Sequence, residues 1–362
     1  MHIVHITLGK TEMQWQYQVN RMVHLLVEEQ RQAGWNVDVW CIADRKAGNY
    51  GTSKNALVFE TRGGLLMELK QHIMDNPDAC YHFHGAWSML FVRLSAFCEK
   101  KGIKFVITTH GEYSYNKLFG MGLLSRCYFS WIEKRMLKRA QRVHTMNKLE
   151  HAFLSAEIGN EKMVYLNWGF KSRRPLVQLP KNKSFTIGYI AKLNDNWTEL
   201  QIIIAAFRKF RSVYTDAEFW IIGDGKGLTE VLRYVERENI EGVRSWGEKY
   251  GSEKDEIIMQ MHVLVYAPTA KDLALPVLEA AACSVPSIVA VESNIVDWLG
   301  RMPCFQFAKG QSEQEWIKAM ASVFHCYSGE QFEQSVEGMR NLLNETFNWE
   351  KLIPRYRKLY QI

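Results

Sequence analysis

His82, His84 and His110 stand at the ends of two short apolar runs, Cys80-Tyr-His-Phe-His84 and Lys104-Phe-Val-Ile-Thr-Thr109, and Gly85 and Gly111 follow directly behind the last two histidines. A histidine at the carboxyl edge of a sheet can move a proton, bind a hydroxyl or ligate a metal. The plainer alternative is a ring hydrogen-bonded to nearby backbone, and it is a serious one for His84. No carboxylate or cysteine accompanies these histidines at ligand spacing, so zinc ranks low. A second chemical segment is Tyr266-Ala-Pro-Thr-Ala-Lys-Asp-Leu-Ala-Leu-Pro-Val-Leu-Glu279. A strand ends near Ala267, a loop carries Lys271 and Asp272, and Pro276 is suited to open a helix behind Leu275. The first turn of such a helix offers free N–H groups and a positive dipole end, which suits a phosphate. Glu279 in that helix can accept hydrogen bonds from two adjacent hydroxyls, such as those of a ribose. It can equally be an acid that only offsets the dipole.

The elements that must position these groups follow one grammar twice. In the first half, β-rich runs are expected at Ile3–Leu8, Val37–Ile42, Ala56–Phe59, Cys80–His84, Lys104–Thr109, Arg142–Met146 and Met163–Leu166. Several are continuously apolar, as in a parallel sheet covered on both faces. Between the first two, Trp15, Val19, Met22, Val23 and Leu26 recur at helical spacing, and Gly34 supplies a stop. After the polar, proline-containing stretch 171–184 the alternation restarts, with strands at Phe185–Ile190, Glu218–Ile222, Val243–Trp246, Val263–Ala267, Ser287–Val291 and Cys304–Phe307. The reading is α/β, two Rossmann-like doubly wound domains facing across a cleft: 1–170, a linker at 171–184, then 185–344. An amphipathic tail, 345–362, packs back on the first domain. Ligands bind such sheets at the carboxyl ends of strands.

At this point the chain resembles glycosyltransferase family 4, retaining enzymes of bacterial polysaccharide biosynthesis with the two-domain GT-B fold. Pro268, Leu275, Leu278, Glu279, Ala280, Ala282, Cys283 and Pro286 match that family's donor-site pattern in register. Ile187-Gly-Tyr-Ile-Ala-Lys-Leu193, Trp220-Ile-Ile-Gly-Asp-Gly225, Val164-Tyr-Leu-Asn-Trp-Gly-Phe170 and Ala33-Gly-Trp-Asn-Val-Asp-Val39 resemble further family segments, in order along nearly the whole chain. The resemblance implies transfer of a sugar from a nucleotide-diphosphate sugar to a glycan or lipid-linked glycan. It implies that Glu279 holds the donor ribose, that Lys192, Gly9 and Lys10 serve the diphosphate, and that Leu275 belongs to the donor site. His110 would contact the transferring sugar or acceptor, with His84 and Gly85 on the acceptor side. No D-x-D occurs, so a metal clamp is not indicated and no cofactor is expected beyond the donor.

Two positions depart from the family. Lys271 stands where the family has its first acid, and Trp197 where it has a diphosphate-binding lysine. A lysine donates and cannot accept, so it cannot replace a carboxylate. Three readings follow: Asp272 supplies the acid after a one-residue shift, the donor carries an anionic sugar that Lys271 attracts, or the protein is a weakened or inactive relative, a pseudo-glycosyltransferase or a partner subunit. A nucleotide-sugar epimerase on the same architecture is a further alternative. A dehydrogenase is disfavoured, since no G-x-G-x-x-G follows the first strand.

Charge adds one more expectation. The chain of 362 residues carries a net charge of +6, and residues 1–170 hold 21 Lys/Arg against 15 Asp/Glu. The stretch Lys117–Lys148 mixes basic residues with Leu124, Tyr128, Phe129, Trp131 and Met136. It reads either as a helix on an anionic membrane surface or as a core helix with a solvated basic face. With the charge confined to one segment, a nucleic-acid partner is not expected. No apolar run is long enough to span a bilayer, and the first residues read as a strand, not a leader, so a cytoplasmic protein, peripheral on the inner membrane face, is expected.

Overall fold

The computed structural model describes residues 2–9, 14–43, 56–113, 122–171, 179–193, 197–267, 274–293, 295–300, 302, 304–327 and 329–360. The chain divides into two compact units, one of residues 1–169 with 349–362, the other of residues 170–348. Each is a parallel sheet wrapped by helices. Every strand expected from the sequence is present, to within one residue at each end, because a buried parallel strand is a short, mostly apolar run.

In the first unit the strands are β1 (His2–Gly9), β2 (Asn36–Ala43), β3 (Leu57–Glu60), β4 (Cys80–His84), β5 (Phe105–Thr108), β6 (Arg142–Thr145) and β7 (Met163–Tyr165), in sheet order β3-β2-β1-β4-β5-β6-β7. The order reverses between β1 and β4, which places the switch point at Gly9 and Gly85. The helices are α1 (Gln14–Gln32), α2 (Leu65–Asp75), α3 (Met89–Lys101), α4 (Leu123–Tyr128), α5 (Lys134–Arg139) and α6 (Lys148–Ile158). Helix α1 ends where expected: Gly34 takes φ +78° and Trp35 N–H returns to Gln30 O at 3.0 Å. A π-helical turn, Phe129–Glu133, joins α4 to α5, so the basic stretch forms a helix with a bulge in it and ends at Arg139.

The two faces of this sheet differ. On one, Val4, Ile6, Tyr81, Phe83, Phe105, Ile107 and Val143 pack an apolar core with α2, α3 and α5. On the other, the alternate residues His5, His82, His84, Thr108 and His144 form a buried polar stripe across four strands. The last helix of the chain, Trp349–Tyr360, buries Trp349, Leu352, Ile353, Tyr356, Leu359 and Tyr360, one face at helical spacing. It belongs to the first unit. Gly169 leaves room for the Trp349 indole, and Tyr356 donates to Asn167 O at 3.1 Å.

In the second unit the strands are β8 (Thr186–Ile190), β9 (Glu218–Ile222), β10 (Val243–Ser245), β11 (Val263–Tyr266), β12 (Ser287–Ala290) and β13 (Phe305–Ala308), in order β10-β9-β8-β11-β12-β13. Around them lie α7 (Thr198–Arg211), α8 (Lys226–Arg237), α9 (Gly251–Gln260), α10 (Leu275–Ala282), α11 (Val296–Leu299), α12 (Glu313–Cys326) and α13 (Glu330–Leu342), and the closing helix of the first unit becomes α14. The switch point is between β8 and β11. Lys181 and Asn182, at the described end of the 171–184 stretch, are tied to this unit through Met261 O and Gln260 O.

Candidate active site

His84 and His110 end up side by side at the carboxyl edge of the first sheet. His110 Nε2 lies 3.1 Å from His84 Nδ1, and both rings are buried, His110 at 5% exposure. Behind them His84 Nε2 meets His5 Nδ1 at 2.8 Å, and His5 Nε2 meets Gln30 Oε1 at 2.9 Å. Burial pushes every ring below the usual histidine range: His110 to about 3, His5 and His144 to about 4, and His82 and His84 well down, with the neighbouring histidines lowering the last two further. These rings are neutral at pH 7. His110 Nδ1 has no hydrogen-bond partner among the described residues, although it is buried. An orphaned buried nitrogen of that kind calls for an explanation, and a substrate hydroxyl is one.

The backbone that carries His110 is strained and clamped. His110 has φ +54° and Gly111 φ +81°. A left-handed non-glycine residue persists only where its surroundings hold it. The holder is Glu150 of α6, which accepts from Gly111 N–H at 3.1 Å and Tyr113 N–H at 2.9 Å. Its own place is set by Asn147, which caps α6 and accepts from Glu150 N–H at 3.0 Å. Burial raises the Glu150 carboxyl to about 7, although the Tyr113, Thr109 and Gly111 hydrogen bonds pull it down. A second buried acid, Glu133 in the π-helical turn, accepts from the Tyr113 hydroxyl and from Trp87 N–H. Trp87, another left-handed residue at φ +56°, follows the switch-point glycine Gly85, whose φ is +128°.

His5, His82 and His84 bring ring nitrogens within 4.8 Å of one another, the one such cluster among the described residues. Their spacing is that of hydrogen bonds. Two nitrogens on one tetrahedral zinc, each about 2.05 Å from it, sit about 3.3 Å apart, whereas His5 and His84 stand at 2.8 Å. All six ring nitrogens of the three have partners.

In the second unit, Lys192 is exposed just beyond β8, in a loop knitted to the β9 exit: Leu193 N–H reaches Asp224 O at 2.9 Å and Gly227 N–H reaches Leu193 O at 2.8 Å. Gly223 lies against Ala191 O, an approach that a Cβ would block. Leu275 is the first residue of α10 and Pro276 the second, as a helix start requires. Glu279 lies one turn in. Its Oε1 takes the Lys254 ammonium of α9 at 2.6 Å, with both side chains largely covered. The expected ribose carboxylate is thus already half engaged. Trp197 packs on the Tyr234 ring at 5.8 Å and joins the core of this unit. Lys10, Lys271 and Asp272 lie outside the described residues.

Two family models account for most of the chain. One, described as Glycosyltransferase Family 4, matches residues 19–169, and the other, Glycosyl transferases group 1, matches residues 184–325. The chain belongs to the glycosyltransferases. No curated protein matches it in sequence. Among solved structures, this glycosyltransferase is similar to a glycosyltransferase from Rickettsia africae, at 12% identity and TM-score 0.77, covering 99% of this chain and 98% of that one. It is also similar to HepE from Anabaena in complex with UDP, at 11% identity and TM-score 0.76, covering 99% of each chain. A third likeness is the lipopolysaccharide outer core galactosyltransferase WaaB, at 11% identity and TM-score 0.72, covering 99% of each. At these identities the likeness establishes the GT-B fold.

The sequence of this glycosyltransferase singles out His110 and, separately, His84 with Gly85, and the structure brings the two histidine rings within 3.1 Å. Sequence reasoning misses Gln30, His5, His144, Glu150, Glu133 and Lys254. The signal for the histidines was available: polar residues at every second position of apolar strands (His5 in β1, His82 and His84 in β4, His144 in β6) share one sheet face. Glu150 and Lys254 read as ordinary helix-surface charges.

Proposed function

We propose that this glycosyltransferase transfers a sugar from a nucleotide-diphosphate donor to a glycan or lipid-linked glycan, with retention of anomeric configuration and without a metal ion. The observation that carries the reading is the buried, unpartnered Nδ1 of His110 at the carboxyl edge of the first sheet. It is a buried ring nitrogen without a partner among the described residues, and a hydroxyl of the transferring sugar or of the acceptor would supply one. The donor's diphosphate belongs at the second unit's switch point. There the Lys192 ammonium and the N–H groups at the start of α10 offset charge that grows on the leaving group as the anomeric C–O bond breaks. Glu279 takes the ribose hydroxyls with the oxygen that Lys254 leaves free, or after that pair opens. HepE is seen with UDP and with UDP-glucose, so uridine donors are the first to try.

The test is a thermal-shift screen against UDP-, GDP-, ADP- and CMP-sugars, uronic acids included. A donor at a hundredfold its Kd adds about 2.7 kcal/mol, or a rise of roughly 5–10 °C for a domain of this size. Glu279→Ala should diminish that shift. His110→Ala should keep it and lower kcat by about a hundredfold. No shift with any donor would remove the donor-site assignment. A shift without turnover would favour the partner-subunit reading, for which Trp197, used in packing where the family has a lysine, is the supporting observation.

A further inference from the structure

The hydrogen bonds behind His110 have a direction, and a backbone carbonyl far from it sets that direction. Leu166 O can only accept, so His144 Nε2, 3.1 Å away, carries the proton. A neutral imidazole has one N–H, so His144 Nδ1 accepts, and Thr108 Oγ1 donates to it at 2.9 Å. With that proton committed, Thr108 accepts from His82 Nε2–H at 2.6 Å. His82 Nδ1 then accepts from the Tyr360 hydroxyl at 2.7 Å. Tyr360 in turn accepts from the Gln30 amide nitrogen at 3.4 Å, which orients Gln30 with its oxygen towards His5. His5 Nε2–H donates to that oxygen at 2.9 Å, His84 Nε2–H donates to His5 Nδ1 at 2.8 Å, and His110 Nε2–H donates to His84 Nδ1 at 3.1 Å. One assignment of protons satisfies every group. If the Gln30 amide were turned over, its NH2 would face His5 Nε2. A tyrosine hydroxyl has one proton, so Tyr360 could no longer serve both its partners.

From this we infer that Gln30 and Tyr360 are positioning residues, which act through His5, His82 and His84 to hold His110 in its Nε2–H tautomer. The consequence is a specificity rule. His110 presents a bare lone pair at Nδ1, so the group it selects is a hydrogen-bond donor, a hydroxyl. A deoxy or fluoro sugar, or an acceptor sugar whose hydroxyl there is methylated, gives it nothing. The inference rests on the reading of His110 as a sugar-contacting group; the orientation of the relay itself does not. Burial supports it independently, because each ring in the chain is held neutral and therefore has one proton to place.

The experiment is nitrogen-15 NMR on the full chain labelled at histidine, with the His110 signals assigned by their loss in His110→Ala. Wild-type protein should show His110 Nδ1 as the unprotonated nitrogen and Nε2 as the protonated one across pH 6–8. In Gln30→Leu, which removes the acceptor that anchors His5, the His110 signals should move towards a mixture of tautomers. A wrong tautomer at a catalytic histidine costs up to about 10⁴ in kcat. Loosening one anchor should cost about tenfold in kcat, with donor KM unchanged. Tyr360→Phe is the second variant should Gln30→Leu not fold, and it should act in the same direction. A protonated Nδ1 in wild-type His110, or an unaltered tautomer in a folded Gln30→Leu or Tyr360→Phe protein, overturns the relay even if His110→Ala still lowers kcat. Conversely, the expected tautomers together with no transfer from any donor keep the relay and remove the glycosyl-transfer role of His110.

Discussion

Glu150 shows how a single side chain connects local backbone to chemistry. Its two oxygens hold the Gly111 and Tyr113 N–H groups, and so hold His110 at a positive φ that it would not adopt alone. Glu150→Leu removes the partner of the buried Tyr113 N–H and the carboxylate contact of the half-buried Gly111 N–H, at roughly 1–3 kcal/mol each. Glu150→Gln keeps one oxygen and loses less. Chemical denaturation should therefore rank wild type above Gln above Leu, with a spread of about 2–6 kcal/mol to the Leu variant. Transfer activity should fall in the same order, since the loop then relaxes away from the geometry that points His110 Nε2 at His84. Equal stability for all three would show that the clamp carries no energy. Glu279 illustrates the reverse situation. Its helix position was legible from Pro276 and the family pattern, but its ion pair with Lys254 was not, because that pair forms only where α9 packs beside α10.

Among the elements, α4 with its π-helical turn joins two surfaces of the first unit. Glu133 on its inner side supports the loop of His110, while Leu123, Leu124 and Trp131 are exposed on its outer side at 73%, 86% and 66%. Arg126, Arg135 and Lys138 share that outer side, with the Arg135 guanidinium 6.0 Å from the Trp131 ring centre. The inner side is the core helix that one sequence reading of Lys117–Lys148 expects, and an exposed basic side fits both readings; 117–121 lie outside the described residues. No helix among the described residues is long and apolar enough to cross a membrane. We propose that the outer side rests on an anionic bilayer, each basic residue contributing about 1 kcal/mol near such a surface. Sedimentation with vesicles containing phosphatidylglycerol should carry the protein down at low salt. Leu124→Glu with Trp131→Glu should weaken that binding by at least tenfold, and neutral vesicles should not bind. Equal retention of wild type and double variant would dismiss the surface.

At the scale of the whole chain, the strands were readable because burial on both faces leaves short, mostly apolar runs, whereas their order in each sheet was not read from the sequence. The histidine relay was not, because its parts come from positions as far apart as Gln30 and Tyr360 and meet only when α14 returns to the first unit. That burial has a measurable consequence. Five histidines of the first unit are held neutral, with values depressed to about 3–4 or well below the usual range. The unfolded chain binds those protons near pH 6.5, so stability is complete above that value and is lost as pH falls towards 4. Glu150 works in the opposite sense: raised to about 7, it favours the folded state at low pH and gives that up as pH rises from its unfolded value through 7. Each proton taken up on unfolding is worth about 1.4 kcal/mol per pH unit, and five histidines outweigh the two raised glutamates, Glu150 and Glu133. The second unit has one such group, His262, lowered to about 4. The first unit should therefore open first on acidification. Hydrogen exchange, corrected for its intrinsic pH dependence, should show protection of β4, β5 and β6 falling steeply between pH 6.5 and 4.5 while β8, β9 and β11 hold. Parallel loss in both sheets, or no loss in the first, would mean that the histidines are not buried as neutral rings.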